Sequence, residues 1–470
     1  MSHFKDDVWP AADRCTRREL LKSTALGFGA IALADILTRE TRAETRPATQ
    51  THFTPRAKRV IFLFMHGGPS SIDTFDYKPQ LDKDDGKPLP FEKPRIQFAQ
   101  TGNLLKSPWK FRQYGQSGAW VSDLFPEVGR CADDLCFIKS MHGSNEAHGG
   151  ALLKIHTGSD TFVRPSKGAW ISYGLGSENA NLPAFVTINP TLGHGGVQNF
   201  GSGFLPPEHQ ATRIGSSGAS MKSASIANLT PPNAKRYDQR KQLDFVQKLN
   251  RHQLDRFQQA AELDARIESL ELAFRMQMEA PDVLDLSQET EATQRLYGID
   301  QSATENFGRQ CLLARRLSEA GVRFVQVSHA YWDQHSELKE KHTELAAQVD
   351  RPIAGLLQDL KQRGLLEETL VIWGAEFGRT PTAQGNNGRD HNPHAFTYWF
   401  AGGGVKPGFS YGQSDDYGFY AVDQKVHVHD YHATLLHLLG LDHEKLTFHY
   451  GGRDFRLTDV HGRVVHDIMT

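Results

Sequence analysis

Carboxylates and histidines gather at three places in this chain where apolar runs end. The first is Glu376, just past the run Leu370 to Trp373, with Asp390, His391 and His394 on the segment downstream. The second is the pair Asp333 and His335, shortly after Arg323-Phe-Val-Gln-Val327. The third is His66-Gly-Gly-Pro-Ser-Ser-Ile-Asp73, directly after Arg59-Val-Ile-Phe-Leu-Phe-Met65. An Asp-x-His pair presents an oxygen and a nitrogen to one cation, the mixed donor set that zinc and manganese sites use. Two cations held a few ångströms apart would stabilise the attacking and leaving oxygens of an ester displacement. With 22 histidines in 470 residues, many of them beside Asp, Glu or Asn, a metal site is the chemistry to expect.

These residues need a scaffold that brings strand ends together. Short apolar runs read as buried strands at 59–65, 135–141, 185–188, 323–327, 370–373 and 398–400. Helical spacing reads at 124–132, up to Thr157-Gly158, and at 303–320, 342–363 and 429–439. Strand and helix alternating over this length imply a doubly wound, mostly parallel α/β sheet with helices on both faces. Such sheets bind ligands at the carboxyl ends of their strands, where the candidate ligands lie. Residues 76–120 read as an excursion over the surface, 193–218 as a Gly/Ser-rich loop system, and 388–394 as a loop. Residues 234–278 carry Leu, Val and Ile at helical spacing among charges, so about 200–300 reads as a loop and helical insertion.

The N-terminus has Arg17-Arg18 before a Gly/Ala-rich apolar run, Ser23 to Leu37, the pattern of a twin-arginine export signal. Removal is expected near Ala43, with a linker over 44–56 and one α/β domain over 57–470. That places the mature protein in the periplasm or outside the cell, with no stable membrane span. Lys and Arg (53) nearly balance Asp and Glu (55), and no basic block or reader motif appears, which argues against nucleic acid as a partner. Outside the leader the cysteines are Cys131, Cys136 and Cys311, so at most one disulfide can form, with Cys131–Cys136 the local possibility. No Gly-x-Ser-x-Gly elbow, Walker sequence or dinucleotide glycine pattern follows a strand.

Five separated stretches together resemble the DUF1501 family. They are Phe64-Met-His-Gly-Gly-Pro-Ser-Ser-Ile-Asp-Thr-Phe-Asp76, Trp332-Asp-Gln-His335, Ala375-Glu-Phe-Gly-Arg-Thr-Pro381, Gly388-Arg-Asp-His-Asn392 and the tail Gly452 to Gly462. The resemblance spans about residues 15–470. These are twin-arginine-exported proteins common in planctomycetes, grouped with the alkaline phosphatase and sulfatase superfamily. It implies an alkaline-phosphatase-like fold and one or two divalent metal ions (zinc, manganese or calcium). It also implies hydrolysis of a sulfate or phosphate ester on a small molecule or polysaccharide.

Residue by residue, the resemblance puts Asp73 or His66 in the place of the first-strand ligand. Asp333 and His335 match the ligand pair of one metal. Glu376 takes the place of the Asp in the superfamily's Asp-His pair, but Phe377 stands where His is expected, leaving His391 or His394 to supply the nitrogen, with Asp390 beside them. Lys154-Ile-His-Thr-Gly158 is similar to the sulfatase Leu-Thr-Gly helix end. Counting back from it brings Ser144, Asn145 and His148 to the nucleophile's place, with Ser144 or a water as the attacking group and His148 as a ligand or proton donor. A serine ahead of a helix, as Ser144 is, is more often its N-cap. Arg379 is a candidate for pairing with a substrate oxyanion, or for a structural ion pair. The sulfatase maturation pattern Cys-x-Pro/Ala-x-Arg is absent. A catalytically silent binding or assembly protein on the same fold is the alternative.

Overall fold

A computed structural model describes residues 51–92, 100–222, 236–257, 260–385 and 387–470, with residues 224, 226 and 229 besides. The twin-arginine leader and most of the linker lie outside the described residues. The main sheet is built from β1 (Arg59–Met65), β2 (Leu135–His142), β3 (Phe185–Ile188), β4 (Thr212–Ile214), β5 (Phe324–His329) and β6 (Thr369–Gly374). The later strands β7 (Gly378–Gln384) and β8 (Gly388–Asn392) form an antiparallel hairpin of their own, joined by Thr101–Leu104. β9 (Phe396–Ala401), β10 (Phe409–Tyr411) and β11 (Val426–His427) return to the main sheet.

Strand order in the main sheet is β10-β2-β9-β6-β1-β5-β3-β4, with β11 also paired to β2. β1 runs parallel to β5 on one side and β6 on the other, while β9 is antiparallel to both β2 and β6. The expected doubly wound, mostly parallel sheet is therefore what forms, with one reversed strand inside it.

A parallel strand covered on both faces has no polar side, which is why β1 reads as an unbroken apolar run. Its residues alternate between two cores. Ile61, Leu63 and Met65 face one cluster, and Val60, Phe62 and Phe64 face the other. The first cluster is closed by α5 (Glu305–Glu319) and α6 (Leu338–Gln362). On α6, Leu345, Val349, Ile353, Leu356 and Leu360 recur at the three-to-four spacing that lays one helix face on a sheet. The second cluster is closed by α1 (His148–Thr157), α2 (Lys167–Leu175) and α7 (Val428–Leu438), through Leu152, Ile155, Trp170, Tyr431 and Leu435. The helical insertion is the pair α3 (Arg236–Phe257) and α4 (Ala260–Leu284).

Several expectations are corrected. Residues 388–392 are a strand, because the Gly378–Asn392 segment folds back on itself as a hairpin. The region 193–218 contributes β4, an edge strand of the main sheet. Cys131, Cys136 and Cys311 are all buried free thiols, and Cys131 and Cys136 belong to opposite cores, so the sheet stands between them. Ser144 does not cap α1: the N-cap is Ala147, and Asn145 Oδ1 instead accepts the Ala147 N–H at 2.9 Å. The helix does end at Gly158 as read, with φ 75°. A Cβ there would lie 2.1 Å from the Leu457 carbonyl oxygen, so only glycine fits.

Candidate metal centre

β6, β1 and β5 are neighbours, and each delivers one group past its C-terminal end: Glu376, His66 and Asp333. The hairpin β7–β8 adds His391, the segment after β5 adds His335, and the first turn of α1 adds His148. The loop after β3 adds His194.

Asp333 is the hub. His148 Nε2 lies 3.1 Å from its Oδ2, while His335 Nε2 and His391 Nε2 lie 3.0 and 3.1 Å from its Oδ1. Each of these rings is tethered at its other nitrogen. His148 Nδ1 donates to Glu376 Oε1 at 2.8 Å, His391 Nδ1 to the Glu146 carbonyl at 2.6 Å, and His335 Nδ1 to Gln384 Oε1. Those acceptors require N–H on Nδ1, which leaves three Nε2 atoms turned toward one carboxylate. Tethering one imidazole nitrogen to an oxygen so that the other faces a metal is the usual outer arrangement of histidine ligands. His148, Asp333 and His391 have donor atoms within 4.8 Å of one another, as do His335, Asp390 and His391.

The electrostatics show the protons a cation would displace, since the Asp333 hydrogen bond also raises His335. Burial works against ionising Asp333, but hydrogen bonds with His148, His335 and His391 and the Arg379 charge hold it far below the usual carboxylate range. Burial also opposes charge on His148, yet Asp333 and Glu376 together push it up to about 9. Burial pulls His391 and His66 down instead. Protonating all three Nε2 atoms beside Arg379 would crowd four positive groups around Asp333. One shared divalent cation satisfies the same lone pairs with less charge, so the residues present fit a metal ion. At the site, the buried atoms without a hydrogen-bond partner among the described residues include Glu376 Oε2, His66 Nε2 and His148 Nε2.

The expected residues sort as follows. Asp333, His335, His391 and His148 come together. Glu376 is buried and binds His148 and the Gly67 N–H (2.9 Å), so its Oε1 orients the His148 ring. Asp390 accepts the His391 N–H at 2.8 Å and lies 3.9 Å from His335 Nδ1, at the edge of the cluster. Asp73 is elsewhere: its two oxygens are taken by Arg389, at 2.7 and 3.2 Å, and by Ser70. The distribution of charge explains this, since Arg389 is buried and needs a counter-charge.

His394 packs against Phe419 and Tyr420 rather than joining the cluster. Arg379 is buried and consumed by the Gly67, Gly68, Trp332 and Arg389 carbonyls and by Asp333, at 2.7 Å, so it pins the loops and cannot reach a substrate. Ser144 is exposed and Asn145 is occupied in its turn.

Sequence reasoning missed His194. Its exposed ring stacks on His148 with centroids 5.0 Å apart and planes 12° apart, and on His66 at 6.2 Å. Its backbone is left-handed at φ 46°, held by Asn199 Nδ2 on its carbonyl at 3.1 Å. The Gly193-His-Gly-Gly196 context was the available signal.

Among solved structures, the chain is similar to the phosphonate monoester hydrolase SpPMH from Silicibacter pomeroyi, at 10% identity and a TM-score of 0.41, over 88% of this chain and 76% of that one. It is also similar to the PsFucS1 sulfatase from Pseudoalteromonas sp., at 13% identity and a TM-score of 0.36, over 82% and 68%. A third is a protein in the alkaline phosphatase superfamily from Vibrio parahaemolyticus, at 11% identity and a TM-score of 0.35, over 89% and 75%. No curated protein matches. A family model described as "Protein of unknown function (DUF1501)" matches residues 57–469, and the chain belongs to that family.

Proposed function

We propose that the protein is an exported, metal-dependent hydrolase of sulfate or phosphate esters. The observation that carries this reading is the convergence of three tethered imidazole Nε2 atoms on Asp333 at 3.0–3.1 Å. A divalent cation held by His148, His335, His391 and Asp333 would act there as a Lewis acid on an ester oxygen. Three imidazole donors suit zinc or manganese better than calcium, which prefers oxygen. Export rests on the Arg17-Arg18 leader.

The chain's own residues have separable tasks. Glu376 and the carbonyl of Glu146 fix which nitrogen of His148 and of His391 faces inward. Arg379 ties the loops after β1 and β5 to the β7 hairpin, which keeps Asp333 in place. Ser144 makes no hydrogen bond to a base among the described residues, so a water is the attacking group in this reading. His194, at the mouth and stacked on His148, is the group placed to hold a proton for the departing oxygen.

Arg379 being consumed favours a second reading, a metal-holding binding protein without turnover, because among the described residues no free guanidinium then meets a substrate oxyanion at the cluster. Elemental analysis of protein purified without chelator, followed by a screen of aryl sulfate, phosphate and phosphonate esters, tests both. Bound metal with turnover that Asp333→Asn abolishes supports the hydrolase. Bound metal without turnover on any ester supports the second reading, and absence of metal rejects both.

A further inference from the structure

A polar cleft of about 520 Å³ opens between β10, the Gln413–Ser414 segment and the short helix Pro79–Lys83, and shares no lining residue with the metal centre. At its floor is Lys139, the one charged residue of β2 apart from His142. Lys139 is half-buried in the strand, and among the described residues no carboxylate lies within ion-pair distance of it. The neighbouring charges are spoken for. Lys78 Nζ pairs with Asp76 Oδ1 at 3.1 Å, and Ser414 Oγ donates to Asp76 Oδ2. Lys83, Asp416 and Asp423 also line the cleft but are exposed at its rim, where water screens them.

The Lys139 ammonium reaches the cleft without a carboxylate partner, and the partial burial of its side chain pulls it down from the usual lysine range, against a weaker pull from Asp76. The walls around it are suited to hydroxyls: Gln413 carries an exposed amide, Gln80 keeps its Oε1 while its Nε2 donates to Asp84, and Gln424 keeps its Nε2 while its Oε1 accepts the Gly412 N–H at 3.3 Å. Tyr77 adds an aromatic face, braced by Phe111 at 4.8 Å and Trp120 at 5.0 Å between centroids.

We infer that this cleft is a binding site for an anionic saccharide, with a sulfate, phosphate or carboxylate group on Lys139 and sugar hydroxyls on the glutamine amides. It is an accessory site that does not depend on the metal centre or on the hydrolytic reading.

Calorimetric titration of the full chain tests this, with a sulfated galactan hexasaccharide, its desulfated form, a phosphorylated hexasaccharide, a uronic acid hexasaccharide and inorganic sulfate as probes. At least one anionic saccharide should bind, and removing its charged groups or introducing Lys139→Met should weaken it by about tenfold or more. Asp333→Asn, at the metal centre, should leave that binding unchanged. Which anionic probe binds best identifies the oxyanion. Lys139→Met should also unfold at the same or a higher temperature than the native protein, so that lost binding cannot be misfolding. Undiminished binding by Lys139→Met, equal affinity for the desulfated sugar, or inorganic sulfate binding as tightly as the hexasaccharides would overturn the inference. So would the failure of every anionic saccharide to bind.

Discussion

His148 stands between two carboxylates, with Nδ1 at 2.8 Å from Glu376 Oε1 and Nε2 at 3.1 Å from Asp333 Oδ2. Glu376 and Asp333 thus act on one ring from opposite sides, one orienting it at Nδ1 and the other facing its Nε2. Glu376→Gln should lower metal affinity by about 10–100-fold, the usual cost of losing an outer partner, while Asp333→Asn or His391→Ala should abolish binding. Competition titration with a chromogenic chelator checks this. Equal losses for Glu376→Gln and Asp333→Asn would make Glu376 a ligand itself.

Asp73 and Arg389 form an ion pair with both side chains fully buried. Asp73→Ala leaves the guanidinium uncompensated and should destabilise the fold by about 3–5 kcal/mol, read by urea unfolding. Metal stoichiometry of the folded fraction should be unchanged. A variant that folds normally but loses metal would restore Asp73 to the ligand set.

Binding to the folded chain alone should link metal to stability. At metal concentrations near one hundred times Kd, the gain is about 2.7 kcal/mol, so a chelator should lower Tm measurably. Asp333→Asn should unfold at the same temperature with and without chelator. A native Tm indifferent to metal would contradict the site.

Asp350 on α6 accepts the backbone N–H groups of Glu127 at 2.9 Å and Val128 at 2.8 Å, and burial pushes its carboxyl up to about 6. Because the folded value lies above the unfolded one, its contribution is complete below about pH 4 and is lost as pH rises through about 6. The difference is about 3 kcal/mol for a shift of roughly two pH units. Asp350→Asn keeps an acceptor without the charge, so it should be more stable than the native chain at pH 7.5, with the gap closing by about pH 4. Chemical denaturation at several pH values decides it.

Strands were legible in the sequence because burial on both faces leaves a continuous apolar run: Arg59–Met65 and Phe185–Ile188 read with their observed ends. The β7–β8 hairpin was not, since Gly378 to Asn392 is polar and its pairing depends on partners in the tertiary fold. Among the candidate ligands, Asp333, His335 and His391 carry their chemistry in their spacing. The roles of Asp73 and Arg379 were hidden because they depend on which buried charge each one faces: Arg389 claims the first, and backbone carbonyls claim most of the second. His194 was hidden for the opposite reason, as only a left-handed turn brings its ring over His148.

The candidate donors of the proposed metal centre arrive from α1, the segment after β5, and β8, which are far apart along the chain. No stretch of the unfolded polypeptide holds more than a fragment of the set, so a cation would have nothing to grip until the central sheet has closed. Occupancy would therefore report completed assembly, and a chain that crosses a membrane already folded would carry such an ion with it as cargo. An ion in that place would not need global unfolding to leave: His391 sits on a hairpin outside the main sheet, and opening that hairpin alone would release one corner of the candidate cage.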